Sequence, residues 1–325
     1  MNLLKYICLP GLLASGDIQT VSAVESKTDK NPNILVILID DAGYNDFGFM
    51  GSKEMQTPNI DALTSEGVVF TDAHVAATVS SPSRACLITG RYGHRFGYEC
   101  NLSDRTNGLP LEEETIAEVF KTNGYRTAAI GKWHLGSRDE QHPNNRGFDL
   151  FYGMKAGGRD YFYNEKKSDR PGDERNLLLN DRQVKFEKYL TDAFSEKAVE
   201  FINESSQPFM MYLAYNAVHT PMQATDEDMA KFEGHPRQKL AAMTYALDRG
   251  VGTVIRGLKD SGKFDNTLIF FLSDNGGATT NQSSNYPLKG FKGNKFEGGH
   301  RVPYFVVWKN GIPAGKPYDG LVSSL

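Results

Sequence analysis

Three carboxylates and one amide stand where two apolar runs end. Residues 34–39 lead directly into Asp40-Asp41, and residues 267–272 lead through Ser273 into Asp274-Asn275. Successive side chains of a strand point to opposite faces, so Asp40 and Asp41 reach one ion only if the chain turns there. Asp-Asp and Asn-Gly are also ordinary turn pairs, and each alone reads as a solvated turn. Together they offer an all-oxygen donor set, which suits Ca²⁺ or Mg²⁺ and does not suit zinc. Lys132 and His134 stand two apart, so an extended backbone places both on one side and turns Trp133 into packing. His219 follows a buried run and precedes Pro221, while Lys292 lies in a Gly-rich stretch. Taken singly, these read as a snorkelling lysine, a satisfied structural histidine and a loop cation.

Ser80-Ser81-Pro82-Ser83-Arg84 is the remaining polar cluster. Taken alone, it is a helix start. Serine caps exposed N–H groups, and proline suits the first turn because it has no N–H to satisfy.

The elements that must carry these residues follow from periodicity. The runs at 34–39, 127–130, 209–215 and 267–272 are continuously apolar and each leads into polar residues of catalytic type. Continuous apolar strands predict a sheet covered on both faces and largely parallel. Helical patterns at about 58–66, 81–88, 113–123, 190–204 and 236–261 alternate with them. The fold class is therefore α/β, a large and mostly parallel central sheet with helices on both faces. In such sheets ligands bind beyond the carboxyl ends of the strands, where every polar cluster named above falls. Residues 137–185 are polar and Gly-rich and read as a substrate-facing excursion around Gly157-Gly158-Arg159-Asp160-Tyr161. His94, Arg95, Arg159 and Asp160 are further candidates for substrate contact.

The 325 residues are 39% hydrophobic and 23% charged, with a formal net charge of −4. That balance supplies a core, excludes a nucleic-acid surface, and leaves room for an anionic substrate held by a few local cations. The N-terminus carries one lysine, a short apolar run broken by Pro10-Gly11, and Val21-Ser22-Ala23 as a small-residue cleavage site. It reads as an export signal over residues 1–23, hence a periplasmic or secreted protein, and no later run predicts a transmembrane segment. Cys8 would leave with that signal. Cys86 and Cys100 read as free buried thiols, with a disulfide as the alternative.

These blocks, in order, are Asp40-Asp41, Ser80 through Gly90, residues 131–136 (GKWHLG), residues 216–221 (NAVHTP), Asp274-Asn275-Gly276 and residues 297–303 (EGGHRVP). The set resembles the signature blocks of the formylglycine-dependent (type I) sulfatases of the alkaline phosphatase superfamily. The resemblance runs from about residue 31 to the end, implying a catalytic domain at 31–325. It implies that Asp40, Asp41, Asp274 and Asn275 bind one Ca²⁺ beside position 80, with the modified residue itself as a further ligand. It implies that Ser80 becomes formylglycine, whose hydrate attacks sulfur with one hydroxyl and expels sulfate through the other. Arg84 and Lys132 would hold the diol and the transferring group, and His134 would assist the diol chemistry. His219 and Lys292 would contact sulfate oxygens, with His219 as general acid. Serine rather than cysteine at position 80 is associated in the family with anaerobic sulfatase-maturating enzymes, the implied partner. Family members usually continue into a smaller C-terminal subdomain, which the expected domain lacks. The implied activity is hydrolysis of a sulfate ester on a sulfated carbohydrate. A phosphonate or phosphodiester hydrolase and an inactive glycan-binding remnant are the alternatives.

Overall fold

A computed structural model describes residues 31–101 and 108–325; the expected export signal lies outside them. Among these residues eleven strands are β1 (Asn33–Ile39), β2 (Val68–Phe70), β3 (Ala73–His74), β4 (Arg126–Lys132), β5 (Leu150–Met154), β6 (Leu178–Leu179), β7 (Arg182–Gln183), β8 (Phe209–Ala214), β9 (Thr267–Ser273), β10 (Tyr304–Val307) and β11 (Val322–Ser323). The same described residues form seven α-helices, α1 (Pro58–Thr64), α2 (Ser80–Thr89), α3 (Ile116–Thr122), α4 (Leu190–Glu204), α5 (Asp226–Lys231), α6 (Gln238–Asp260) and α7 (Glu297–His300).

Nine strands form one sheet in the order β2-β10-β9-β1-β8-β4-β5-β6-β7. The stretch β9-β1-β8-β4-β5 is parallel; β10 and β6 flank it antiparallel, and the outermost β2 and β7 pair antiparallel to those two in turn. Every residue of β1 is buried, as a strand covered on two faces requires. Its alternate side chains enter different apolar clusters. Leu35, Ile37 and Ile39 pack with α1, α4 and α6. Ile34, Val36 and Leu38 pack with α2, α3, Trp133 and Phe148. The period of two thus divides one strand between two helical layers, and the expected fold class holds.

The helix starts are local chemistry. Thr115 and Glu118 close a capping box at the start of α3, each side chain bonding the other's backbone N–H. This starts α3 three residues later than the apolar pattern alone predicts. Among the described residues no helix is long and apolar enough to cross a membrane.

The segment 137–185 departs from expectation. It contains β5, β6 and β7, so it extends the sheet. Arg159 and Asp160 are buried: Arg159 donates to both oxygens of Asp169 at 2.8 and 2.9 Å, and Asp160 Oδ2 accepts from Ser168 Oγ at 2.7 Å. They brace this segment and do not face solvent. Cys86 and Cys100 are both free thiols; Cys86 is buried as expected, but Cys100 is exposed.

Candidate active site

Four adjacent parallel strands, β9, β1, β8 and β4, end at one rim. Beyond β1 the ladder continues: Asp274 N donates to Ile39 O at 2.9 Å, Asp40 N to Ala217 O at 2.9 Å and Val218 N to Asp40 O at 2.8 Å. This aligns the turns that carry Asp40-Asp41, His219 and Asp274-Asn275. Asp41 has φ 63°, so the chain does turn between the two aspartates and both carboxylates share a side.

Ser80 is the first residue of α2, after Val79 as N-cap, and Val79 makes no side-chain cap. The serine does not act as a cap either. Its Oγ lies 3.2 Å from Asp40 Oδ1 and 3.1 Å from Asn275 Oδ1, in the middle of the acidic cluster. The helix start is served from elsewhere: Asn101 Oδ1 accepts from Ser81 N at 2.9 Å. Asn275 is oriented by its amide nitrogen, which donates to Asp41 Oδ1 and Gly276 O, both at 2.9 Å, so its oxygen faces Ser80.

Each carboxylate has its own cation. Lys132 Nζ is 2.7 Å from Asp40 Oδ2, Arg84 reaches Asp274 Oδ2 at 2.8 Å, and Lys292 Nζ reaches the two oxygens of Asp41 at 2.7 and 2.9 Å. His219 Nε2 stands 3.7 Å from Asp41 Oδ2. Its Nδ1 lies 2.6 Å from Thr220 O, a pure acceptor, so Nδ1 carries hydrogen. Lys132 closes β4, while His134 lies past its end with φ 58° and Trp133 buried between them. The two-residue spacing from Lys132 to His134 therefore runs through a left-handed turn and not a continued strand.

Burial alone would raise the Asp40 carboxyl, but Lys132, His219 and Arg84 outweigh it and hold it below the usual range. Burial, then the charges of Lys132 and Arg84, pushes the His134 imidazole well below its ordinary value, so it is neutral at pH 7. Burial acts against the charge of Lys292, yet Asp41, Asp40 and Asp274 prevail and raise it, so it stays an ammonium.

All of Asp40, Asp41, Ser80, Arg84, Lys132, His134, His219, Asp274, Asn275 and Lys292 thus converge. His94 and Arg95 are exposed on a short helical turn at 93–96. The donor set fits a hard divalent cation: three buried carboxylates and one oriented amide oxygen surround position 80, with neutralising cations behind them.

Several residues that hold this geometry carry no motif. Asn281 is fully buried and its Nδ2 donates to Asp41 O at 3.1 Å and Val218 O at 2.9 Å. Tyr161 Oη lies 2.6 Å from Asn216 O and 2.8 Å from His219 O, bracing the histidine loop. Gly157 and Gly158 lie against the His134 and His219 rings, where a Cβ would come within 2.6 and 3.2 Å. Only the Gly-Gly pair left a trace in the sequence.

A family model described as Sulfatase matches residues 32–325. The uncharacterized sulfatase YdeN of Escherichia coli K12 is 34% identical, over 93% of this chain and 62% of that protein. Canine N-acetylgalactosamine-6-sulfatase is 33% identical over 88% of this chain and 58% of its own. The crystal structure of Ps i-CgsB in complex with k-i-k-neocarrahexaose superposes with TM-score 0.84 at 44% identity, over 90% of this chain and 69% of that one. The chain spans little more than half the length of the curated relatives named here.

Proposed function

Because the chain belongs to the sulfatase family, we propose that it hydrolyses a sulfate ester of a sulfated carbohydrate, with position 80 in its oxidised formylglycine form. The observation that carries this reading is the placement of Ser80 Oγ between Asp40 and Asn275, backed by Lys132 and Arg84. When present, a formylglycine hydrate supplies a hydroxyl nucleophile for sulfur and a second hydroxyl whose deprotonation releases sulfate, and Ca²⁺ adds charge beside it. Asp40, Asp41, Asp274 and Asn275 would hold that ion.

The remaining work falls to side chains already in place. Arg84 and Lys132 fix the carboxylates and keep positive potential at the start of α2, where the helix dipole adds to it. Neutral His134 would assist the diol chemistry as a proton acceptor. Lys292 and His219 form the mouth and meet the sulfate oxygens. Protonated His219 donates from Nε2 to the leaving sugar oxygen, since Nδ1 is committed to Thr220 O. A carbohydrate substrate is supported by the carrageenan-type oligosaccharide named in the Ps i-CgsB complex and by the amino-sugar sulfatase relative. Serine at position 80 and the apolar N-terminal run support an exported bacterial protein, periplasmic or secreted, matured by an anaerobic sulfatase-maturating enzyme.

Co-expression with such an enzyme should lower the intact mass by two hydrogens at Ser80, a change lost in Ser80→Ala. The modified protein should release sulfate from an aryl or sugar sulfate and act far more slowly on the matched phosphate. Preference for the phosphate or phosphonate ester would reassign the site. Glycan binding with no turnover by fully modified protein would end the catalytic reading.

A further inference from the structure

A second cluster of ligand-type side chains lies where β3 meets α7, apart from the oxygen-rich centre. β3 is held from two sides. Ala73 and His74 pair with Val322 and Ser323 of β11, while Val302 N donates to Ala73 O and Val75 N to His300 O, both at 2.9 Å. This frame brings two imidazoles together at a tilt of 35°, with His74 Nδ1 and His300 Nδ1 2.9 Å apart. Glu297, at the start of α7, brings a carboxylate oxygen within 4.8 Å of a ring nitrogen of each histidine.

We propose that His74, His300 and Glu297 bind a borderline divalent transition metal, zinc or a neighbour, with solvent completing the coordination. Two imidazole nitrogens this close can share only one hydrogen, whereas a metal uses the lone pairs of both. The spacing is near what a tetrahedral site demands, since Zn–N bonds of about 2.0–2.1 Å put neighbouring nitrogens roughly 3.3 Å apart. The outer shell is also built. His74 Nε2 lies 2.9 Å from Asp72 Oδ1, so it carries hydrogen there and presents Nδ1 as a lone pair. A carboxylate behind a ligating imidazole is how metal-bound histidines are commonly oriented. Arg301 stands 3.4 Å from both Asp72 Oδ1 and Glu297 Oε2, keeping the two carboxylates beside the imidazole pair.

Two nitrogens and one oxygen select zinc, nickel, cobalt or copper over calcium, so the site does not compete with the Asp40 cluster. His74 and His300 are partly accessible and Glu297 is exposed, which leaves a path for the ion. The consequence reaches the rim. Gly276 N, next to Asn275, donates to Gly299 O at 2.9 Å, and Gly298 N donates to Lys289 O at 2.9 Å. A metal pinning α7 to β3 therefore stiffens the wall that carries Asn275 and the Lys292 loop.

Calorimetric titration of the full chain with Zn²⁺, in excess Ca²⁺, tests this without any turnover. One equivalent of saturable binding is expected, and Co²⁺ at the same site should give the strong visible absorption of a four-coordinate complex. His300→Leu and His74→Asn should abolish binding, and Asp72→Ala should weaken it roughly 10- to 100-fold. His300 is partly exposed, so its variant folds even if the His74 variant does not, and thermal melting without metal verifies this. Absence of saturable zinc binding, binding that survives His300→Leu, or binding lost in His219→Ala would each overturn the proposal.

Discussion

Gly157→Ala is a one-methyl perturbation aimed at His134. The added Cβ would lie 2.6 Å from His134 Nε2 and 2.8 Å from Cε1. Favourable contacts between such atoms lie near 3.5–4.0 Å, so something must move by about 1 Å. Backbone ties limit the ring's retreat: His134 N donates to Lys155 O at 3.0 Å, and its own carbonyl accepts from Ser81 Oγ at 2.7 Å. Displacing a group that handles a proton by about 1 Å costs on the order of 100-fold in rate, or about 2.7 kcal/mol of transition-state stabilisation. Gly158→Ala meets His219 Cε1 at 3.2 Å and needs only a few tenths of an ångström of give, so it should lose severalfold at most. Gly315→Ala, whose nearest neighbour would be Pro313 O at 3.9 Å, is the neutral control. The assay is kcat/KM on an aryl sulfate, corrected for the modified fraction at position 80 by mass spectrometry, with melting temperatures alongside. A Gly157→Ala protein within about threefold of the parent would refute the placement of His134 at the reacting group, as would a larger loss in Gly158→Ala.

Asp169→Asn should leave the buried Arg159 guanidinium short of its charge partner, since both side chains are fully inaccessible. The expected cost is roughly 3–5 kcal/mol, read from urea unfolding, and an unmoved midpoint contradicts it. Iodoacetamide at pH 8 should label exposed Cys100 and spare Cys86, which is buried, with burial pushing its thiol up so that little thiolate forms; peptide-resolved mass spectrometry reads the ratio. Burial acts to raise Asp149, but hydrogen bonds from Lys121 and Thr127 leave its carboxyl below 3.8 in the folded chain. Its stabilising share is therefore complete above the unfolded value and disappears as pH falls through the folded one. Asp149→Asn should flatten the acid side of the stability profile as pH falls below the ordinary carboxylate range, and an identical slope in both proteins would count against the assignment.

The strand ends were the legible part of this chain. β1, β4, β8 and β9 are covered on both faces, so their apolar runs continue unbroken until the polar residue that reaches the rim. β5 escaped notice because Leu150–Met154 is short, holds a glycine and sits in a polar segment, and its pairing with β4 is decided by tertiary packing. Arg159 and Asp160 looked like exposed loop charges because nothing local announces a partner ten residues on, such as Asp169. The site's charged residues were readable by type and order. Their supports were not, because Asn281 and Tyr161 act through backbone carbonyls and leave no spacing rule.

That division explains where the fold stores strain. Asp41 and His134 both adopt left-handed backbone, with φ 63° and 58°, which costs roughly 1–3 kcal/mol for a residue with a side chain unless its surroundings enforce it. The enforcement is visible at each. Asp41 O accepts from Asn281 Nδ2 at 3.1 Å and Ser283 Oγ at 3.0 Å, while Asp41 N donates to Asp274 Oδ1 at 3.2 Å. His134 is held between Lys155 O and Ser81 Oγ, and Ser81 immediately follows the residue on which the proposed chemistry occurs. Without its turn, strand alternation would send Asp41 to the face opposite Asp40, while His134 sits two residues beyond Lys132 where β4 has already ended. Asn180 and Gln282 share this left-handed backbone, but Asp41 and His134 are the two of these four whose side chains belong to the site. The buried amide and hydroxyl groups that bond their backbones are as necessary to the site as the carboxylates.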